Sequence, residues 1–398
     1  MAQLMLFTPG HGDPFETLML NGLVTSLLEA DPFSKINIHK EGARYVIKAN
    51  TKAEGTRIVE HALTCISQDI ELGSSLSKIS LANRPQPTFK KAENLQKLLK
   101  ELSYAKGMDV YEEFGKETHI VEKGEGRGAR GRLLLKAHIP VAPVGGAHMQ
   151  LSYVTIGTTG RASFKGPADY VVCPLCLLLA WTGLVRSTAL IITERGGRER
   201  LTRVVYSVAS PLHADQDDVS ALSLIFGEKV ERLDVDVPTL AAPMLAFFTG
   251  ETVLTVRNIF NLLTWSYVRQ GGFLGVRDFS LAPLNPLLNF VAKAKSKSPN
   301  LPRLARSLLT PKRVHDKEVA PEPELISMLA EAILYGSFDV YSIVRSLWSA
   351  LELRDERRVL DRGIVEAIVL SIHGLGMPSE LKFLKEWLAN ADCEDGTF

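Results

Sequence analysis

The chain has 398 residues, enough for about two or three domains, and its 45% hydrophobic and 23% charged residues exclude a disordered or fibrous protein. Lys+Arg number 46 against 45 Asp+Glu, so a polyanion would have to be held by local basic patches and not by the field of the whole molecule. Four cysteines, an opening MAQLMLFTPGHGDP without a basic leader, and a longest apolar run (Val171 to Val185) shorter than the ~20 residues of a bilayer span point to a reducing, cytoplasmic setting without membrane contact.

Asp13 stands where an N-cap belongs, with Pro14 at the first helical position and Glu16 three residues after the cap, which predicts a helix from Pro14 to about Ala30. Lys35 to His39 and Arg44 to Lys48 alternate in polarity around Lys40-Glu41-Gly42-Ala43 and read as a β-hairpin. Helices are expected from about Thr51 to Cys65 and, marked by Asn94, Leu95, Leu98 and Leu99, over a short stretch ending near Gly107, with a break at Arg84-Pro85-Gln86-Pro87 between them. The glycine-dense stretch from Gly107 to Gly166 has the look of short strands and long loops. Ala189 to Thr193 and Leu201 to Ser207 form a second hairpin around Gly196-Gly197. His213-Ala214-Asp215-Gln216-Asp217-Asp218 has residue types that bind metals, but it precedes an apolar helix, Val219 to Phe226, whose first turn favours acids.

Beyond about Thr239 the strand signals fade and successive helices are expected. Leu325 to Ile333 and Val340 to Leu351 carry apolar residues at helical spacing, with Ser337 as the N-cap between them, and Gly363 to Ser371 is apolar nearly all round, as a central buried helix would be. The fold class expected is α+β, a mixed α/β domain with antiparallel hairpins over residues 1–239 and an α-helical bundle over 240–398.

Two segments are strongly basic. Lys123, Arg127, Arg130, Arg132 and Lys136 are interleaved with glycines and a single acid, Glu125. Glycine lets a backbone approach a sugar-phosphate chain, and arginine bridges phosphate oxygens with paired hydrogen bonds, although the same composition also makes a solvated hairpin. Between Lys293 and Lys317, eight basic residues, among them Lys293, Lys295, Lys297, Arg303, Arg306 and Lys312, face one acid, Asp316. This reads either as a track for a nucleic-acid strand or as a basic linker. Arg195 and Arg198 make a smaller site of the same kind at a turn.

Cys173-Pro174-Leu175-Cys176 resembles a redox pair at a helix start, yet it opens an apolar segment in which thiols are structural. A zinc site would need two further ligands, and Cys65 and Cys393 stand alone, so no metal is expected. Phosphate-loop, hydrolase-elbow and zincin patterns do not occur, which leaves no self-contained catalytic constellation.

The segments GDPFETLMLNGLV (Gly12 to Val24), VVCPLCLLLAWTGL (Val171 to Leu184) and LAEAILYGSFDVYSIVRSLW (Leu329 to Trp348) resemble the large subunit of the archaeal type I-A CRISPR interference complex, a Cascade. The resemblance implies a non-catalytic protein without cofactor that binds the guide RNA handle and target DNA, inspects the short duplex motif beside the target and helps hold the opened strands. It implies other Cascade subunits and a recruited helicase-nuclease as partners. On it, Lys123, Arg127, Arg130 and Arg132 would contact duplex DNA or guide backbone, and Lys293, Lys295, Lys297, Arg303 and Arg306 a displaced single strand. A thiol oxidoreductase using Cys173 and Cys176 and a scaffold that binds only protein are the competing readings.

Overall fold

The computed structural model describes residues 4–73, 76–85, 92–116, 126–127, 133–136, 139, 171–195, 201–227, 230–249, 258–270, 273–315, 317–336 and 339–373. The fold is mixed α and β with mainly antiparallel sheets, and the chain divides into two compact units, Met1–Asp234 with Arg257–Leu281, and Val235–Val256 with Ala282–Phe398.

In the first unit, β1 (Leu4–Phe7) leads to α1 (Phe15–Ala30), which ends where the sequence predicts. Its start differs. Pro14, not Asp13, occupies the cap position, after a cis Asp13–Pro14 peptide, and no side chain caps the helix. Asp13 instead accepts from Thr17 Oγ1 at 2.6 Å and pairs with Lys40, while Glu16 reaches back to the Gly10 and His11 N–H groups at 2.9 and 2.7 Å. These two donors precede the cap, so the carboxylate closes the loop ahead of the helix and not the helix itself.

The first hairpin forms from β2 (Lys35–Glu41) and β3 (Arg44–Asn50), longer than expected and joined at Gly42, whose φ of 62° suits glycine. Ile36 and Ile38 point into the core while Lys35 and Asn37 face out, the half-buried alternation read from the sequence. The helices α2 (Gly55–Glu71), α3 (Lys78–Ala82), α4 (Ala92–Leu102) and α5 (Val110–Phe114) follow, then the short strands β4 (Gly126–Arg127), β5 (Leu133–Lys136) and β6 (Val171–Val172).

Next comes α6 (Pro174–Ser187), buried almost throughout because it crosses α1 at very close range. The crossing is made by two glycines: a Cβ added at Gly22 would lie 1.9 Å from the Leu179 carbonyl oxygen, and one at Gly183 would lie 1.9 Å from that of Leu18.

The second predicted hairpin is present as β7 (Thr188–Arg195) and β8 (Leu201–Pro211). β9 (His213–Asp215) joins the first sheet, giving the order β1-β3-β2-β9, and Asp215 then accepts from the Asp217 and Asp218 N–H groups at 3.0 Å to open α7 (Gln216–Gly227). The acids there are helix-start residues, as expected. β10 (Val230–Leu233) pairs in parallel with β7.

One expectation fails after residue 239. β11 (Phe260–Gln270) and β12 (Phe273–Pro283) complete a five-stranded sheet of order β10-β7-β8-β11-β12, and β11 pairs antiparallel with β8 along its whole length. Phe260 and Leu262 to Val268 are all buried, so the strand lacks the one-sided alternation that marks a half-exposed strand in a sequence.

The second unit contains α8 (Ala241–Thr249), α9 (Asn285–Lys297), α10 (Leu301–Leu309), the small ladder of β13 (Lys312–Val314) with β14 (Lys317–Val319), α11 (Pro323–Tyr335), α12 (Val340–Leu353) and α13 (Arg362–His373). The helical pair read from the apolar periodicity is α11 and α12. Its cap is Asp339, accepting from the Tyr341 N–H at 3.0 Å, whereas Ser337 lies outside the described residues. Gly336 closes α11 in the left-handed conformation. α13 buries Ile364, Val365, Ala367, Ile368 and Val369 against α9, α11 and α12, in line with the expected buried helix.

Candidate nucleic-acid interface

α9 and α10 each bury one stripe and expose another. Leu287, Phe290, Val291 and Ala294 of α9 face the core, leaving Lys293 and Lys297, four apart, on the outer face. Leu301, Leu304, Ala305 and Leu308 of α10 do the same, leaving Arg303 and Arg306 exposed side by side. The β13–β14 ladder then brings Lys312 beside them. Arg303, Arg306, Ser307, Thr310, Pro311, Lys312 and Glu356 line a cleft of about 370 Å³.

A helix C-terminus repels anions through its free carbonyls, and this cleft lies at the C-terminal end of α10. The carbonyls are covered from below. Arg354, fully buried, donates from one guanidinium nitrogen to the Ser307 and Thr310 oxygens at 2.8 and 2.7 Å, and from the other to the Ala320 oxygen. Arg354 is set there by the end of α12: Asp355 is left-handed (φ 55°), its N–H bonds to the Glu352 oxygen at 3.0 Å, and the Glu356 N–H bonds to the Leu351 oxygen at 2.9 Å. That is a Schellman motif with aspartate in the place usually held by glycine. The same reversal carries Glu356 to the edge of the cleft.

The basic residues of this segment fall into different states. Lys297 is tied to Glu366 at 2.7 Å, which also accepts from Arg362 at 3.0 Å; these two hydrogen bonds hold the Glu366 carboxyl below its ordinary value. Lys312 is tied to Glu356 at 2.8 Å. Burial alone would raise the Glu356 carboxyl, but hydrogen bonds from Lys312 and Ser307 outweigh it and hold the group below its usual range. Lys295 is half-buried. Lys293 and Arg306 have no ion-pair partner among the described residues. The structure therefore assembles Arg303 and Arg306 with Lys312, Ser307 and Thr310, and sets Lys297 aside in a carboxylate pair. Lys312 was visible in the sequence as part of the basic run; Arg354 and Glu356 were not, because a left-handed helix end without glycine carries no sequence mark.

Of the other basic patch, Lys123, Arg130, Arg132 and the turn residue Arg198 lie outside the described residues. In backbone register Arg127 stands opposite Leu133 between β4 and β5, Lys136 opposite Val171 between β5 and β6, and Arg195 opposite Leu201 at the turn end of β7 and β8.

The first unit holds two further clusters of chemical interest. Cys173 caps α6 with its sulfur, which accepts from the Cys176 N–H at 3.2 Å, and the two sulfurs are 3.1 Å apart. Both thiols are buried, and burial, then the neighbouring Cys173, push the Cys176 thiol well above its usual value. Burial likewise pushes the Cys65 thiol up to about 11. These are the properties of structural thiols. Around Glu16, Tyr45 Oη bonds to Thr17 Oγ1 at 2.9 Å and to Ser210 Oγ at 2.8 Å, joining α1 to both sheets. Among the described residues, no group of three or more His, Cys, Asp or Glu side chains is arranged to hold a metal ion, and no helix is long and apolar enough to cross a membrane.

The sequence model of a family described as CRISPR-associated protein (Cas_Csa4) matches residues 4–370, which include every basic residue discussed above. The chain belongs to this family. Membership in the Csa4 family bears out the resemblance to the large subunit of a type I-A interference complex. A relative from Thermoproteus tenax named "CRISPR system associated protein Cas8" is 24% identical over 257 residues, which are 63% of this chain and 63% of the relative's length. Both the α1–α6 crossing and the basic cleft fall inside the range matched by the Csa4 family.

Proposed function

We propose that this Cascade large subunit is a non-catalytic binding protein that holds a phosphodiester strand in the cleft of Arg303, Arg306 and Lys312. The observation that carries the reading is the gathering of three cations and two hydroxyls against one carboxylate, Glu356, in one cleft on a chain of net charge +1, with the helix-end carbonyls beneath it neutralised by Arg354. Arginine pairs recognise phosphate oxygens through geometry, and none of these side chains reads a base edge. The cleft serves the displaced strand of the opened target, with Lys293 and Lys295 extending its reach and Lys297 giving up its carboxylate partner to do so.

Lys123, Arg127, Arg130, Arg132, Lys136, Arg195 and Arg198 are the proposed contacts to duplex DNA beside the target and to the guide RNA handle. In this scheme base pairing reads most of the sequence, while the protein inspects the flanking duplex motif and neutralises backbone. Other Cascade subunits and a helicase-nuclease supply the remaining steps. The buried, proton-retaining Cys176 speaks against a thiol oxidoreductase, since only a thiolate is nucleophilic.

The test is the salt dependence of single-strand binding by the full chain. Arg303→Ala/Arg306→Ala is expected to weaken binding and to flatten the plot of log affinity against log salt by about 1.4, at roughly 0.7 for each phosphate no longer neutralised. Unchanged affinity and slope would remove the cleft from the interface, and an absence of salt-dependent binding in the parent chain would favour the protein-only scaffold.

A further inference from the structure

The cleft contains its own anion. Glu356 holds Lys312 at 2.8 Å, and Ser307 and Arg303 are near enough to help keep its carboxyl below the usual range, so it faces three of the groups that a phosphate would face. Its contact differs in kind from that of Arg354 below. The guanidinium of Arg354 is fully buried on three carbonyls, whereas the Lys312 and Glu356 side chains are 35% and 22% exposed. A partly exposed pair is held less firmly than the buried Arg354 contacts, and a phosphodiester oxygen offers Lys312 the same charge-assisted hydrogen bond that the carboxylate does.

We infer that Glu356 is a built-in competitor for the cleft, a carboxylate that occupies Lys312 until a strand's phosphate displaces it. The inference rests on the reading of the cleft as a phosphodiester seat and adds to it a residue that sets how tightly free strands are held. In the resting state Arg303 and Arg306 are available and Lys312 is occupied, so a loose strand meets a weakened site. A strand already held elsewhere on an assembly arrives at high effective concentration and overcomes the competitor. Glu356 thereby selects for strands delivered in place over strands met in solution.

Glu356→Gln removes the charge while keeping the size and one acceptor oxygen. Binding of short fluorescent oligothymidylate and oligouridylate to the full chain, measured across a salt series, is expected to tighten about fivefold near ~0.1 M salt, because Lys312 no longer has to give up a carboxylate before it meets a phosphate. The gain should vanish in Lys312→Gln/Glu356→Gln. Glu356→Ala is expected to give the same gain, so that one unstable variant does not decide the matter, and the melting temperature of each variant reports on its folding. Unchanged or weaker binding by a folded Glu356 variant would overturn the inference, as would a gain that persists without Lys312. Arg303→Ala/Arg306→Ala separates the two levels: if it leaves binding intact, the seat itself is misplaced; if it weakens binding while the Glu356 variants do nothing, the seat stands and the competitor falls. A gain with only one of the two oligonucleotides identifies which kind of strand the cleft takes.

Discussion

Glu16 is a carboxyl with no exposure, held by the Gly10 and His11 N–H groups and the Thr8 hydroxyl, and burial raises its pKa from 4.5 to about 7 despite those donors. Between these two values the folded chain keeps a proton that the unfolded chain has released. Stability contributed at this site is therefore fully present below about pH 4.5 and is lost as the pH rises through about 7, after which it changes no further. Glutamine cannot titrate, so Glu16→Gln shifts stability by a constant. The difference in unfolding free energy, wild type minus variant, is expected to fall by up to about 3 kcal/mol between roughly pH 4 and pH 8, at ~1.4 kcal/mol per unit. Urea melts at both ends of the range measure it, and a pH-independent difference would show that Glu16 titrates in the fold as it does in the unfolded chain. Arg354 works the opposite way. Its charge is permanent, and its role is to satisfy two backbone oxygens at the end of α10 and that of Ala320 after β14, which would otherwise be stranded.

At the scale of elements, the crossing of α1 and α6 fixes the interior of the first unit. The backbones approach through Gly22 and Gly183 so closely that a single methyl group at either has nowhere to go. Gly183→Ala must push the helices apart and is expected to cost at least ~1–3 kcal/mol, seen as a lowered melting temperature. Gly42→Ala is the comparison: nothing lies within 4 Å of a Cβ there, and only the left-handed φ of 62° opposes it, so destabilisation should be about 1 kcal/mol. Equal destabilisation at the two positions would mean that the crossing yields. The elements that could be read from sequence are those that announce themselves locally. The hairpins β2–β3 and β7–β8 have alternation and turn glycines, and α11 and α12 have one apolar stripe each. β11 was hidden because FNLLTWSYV is covered on both faces, and the α1–α6 crossing because nothing in a local window tells a packing glycine from a flexible one. The basic run from Lys293 to Lys317 was legible as charge; its partition into a cleft, a Lys297–Glu366 pair and a Lys312–Glu356 pair depends on acids more than forty residues away.

For the whole molecule, the consequence of β11 and β12 is that the chain does not pass from one unit to the other just once. It leaves the first unit at about residue 234, returns at 257 and leaves again at 281. The returning strand matches β8 residue for residue, from Phe260 opposite Pro211 to Gln270 opposite Leu201. Breaking that ladder exposes two rows of backbone groups and the buried faces of Trp265 and Tyr206, whose rings stack at 5.1 Å, so β11 cannot open without opening the sheet. Amide exchange of the full chain followed by mass spectrometry distinguishes the units. Peptides from residues 260–270 are expected to share the opening free energy of residues 201–211 and to respond with them to Gly183→Ala, while peptides from α9 to α13 keep their own value. Exchange of β11 in step with α9 to α13 would mean that the cooperative units divide near residue 239, where the strand signal fades in the sequence, and that the long β8–β11 ladder contributes little to holding the first unit together.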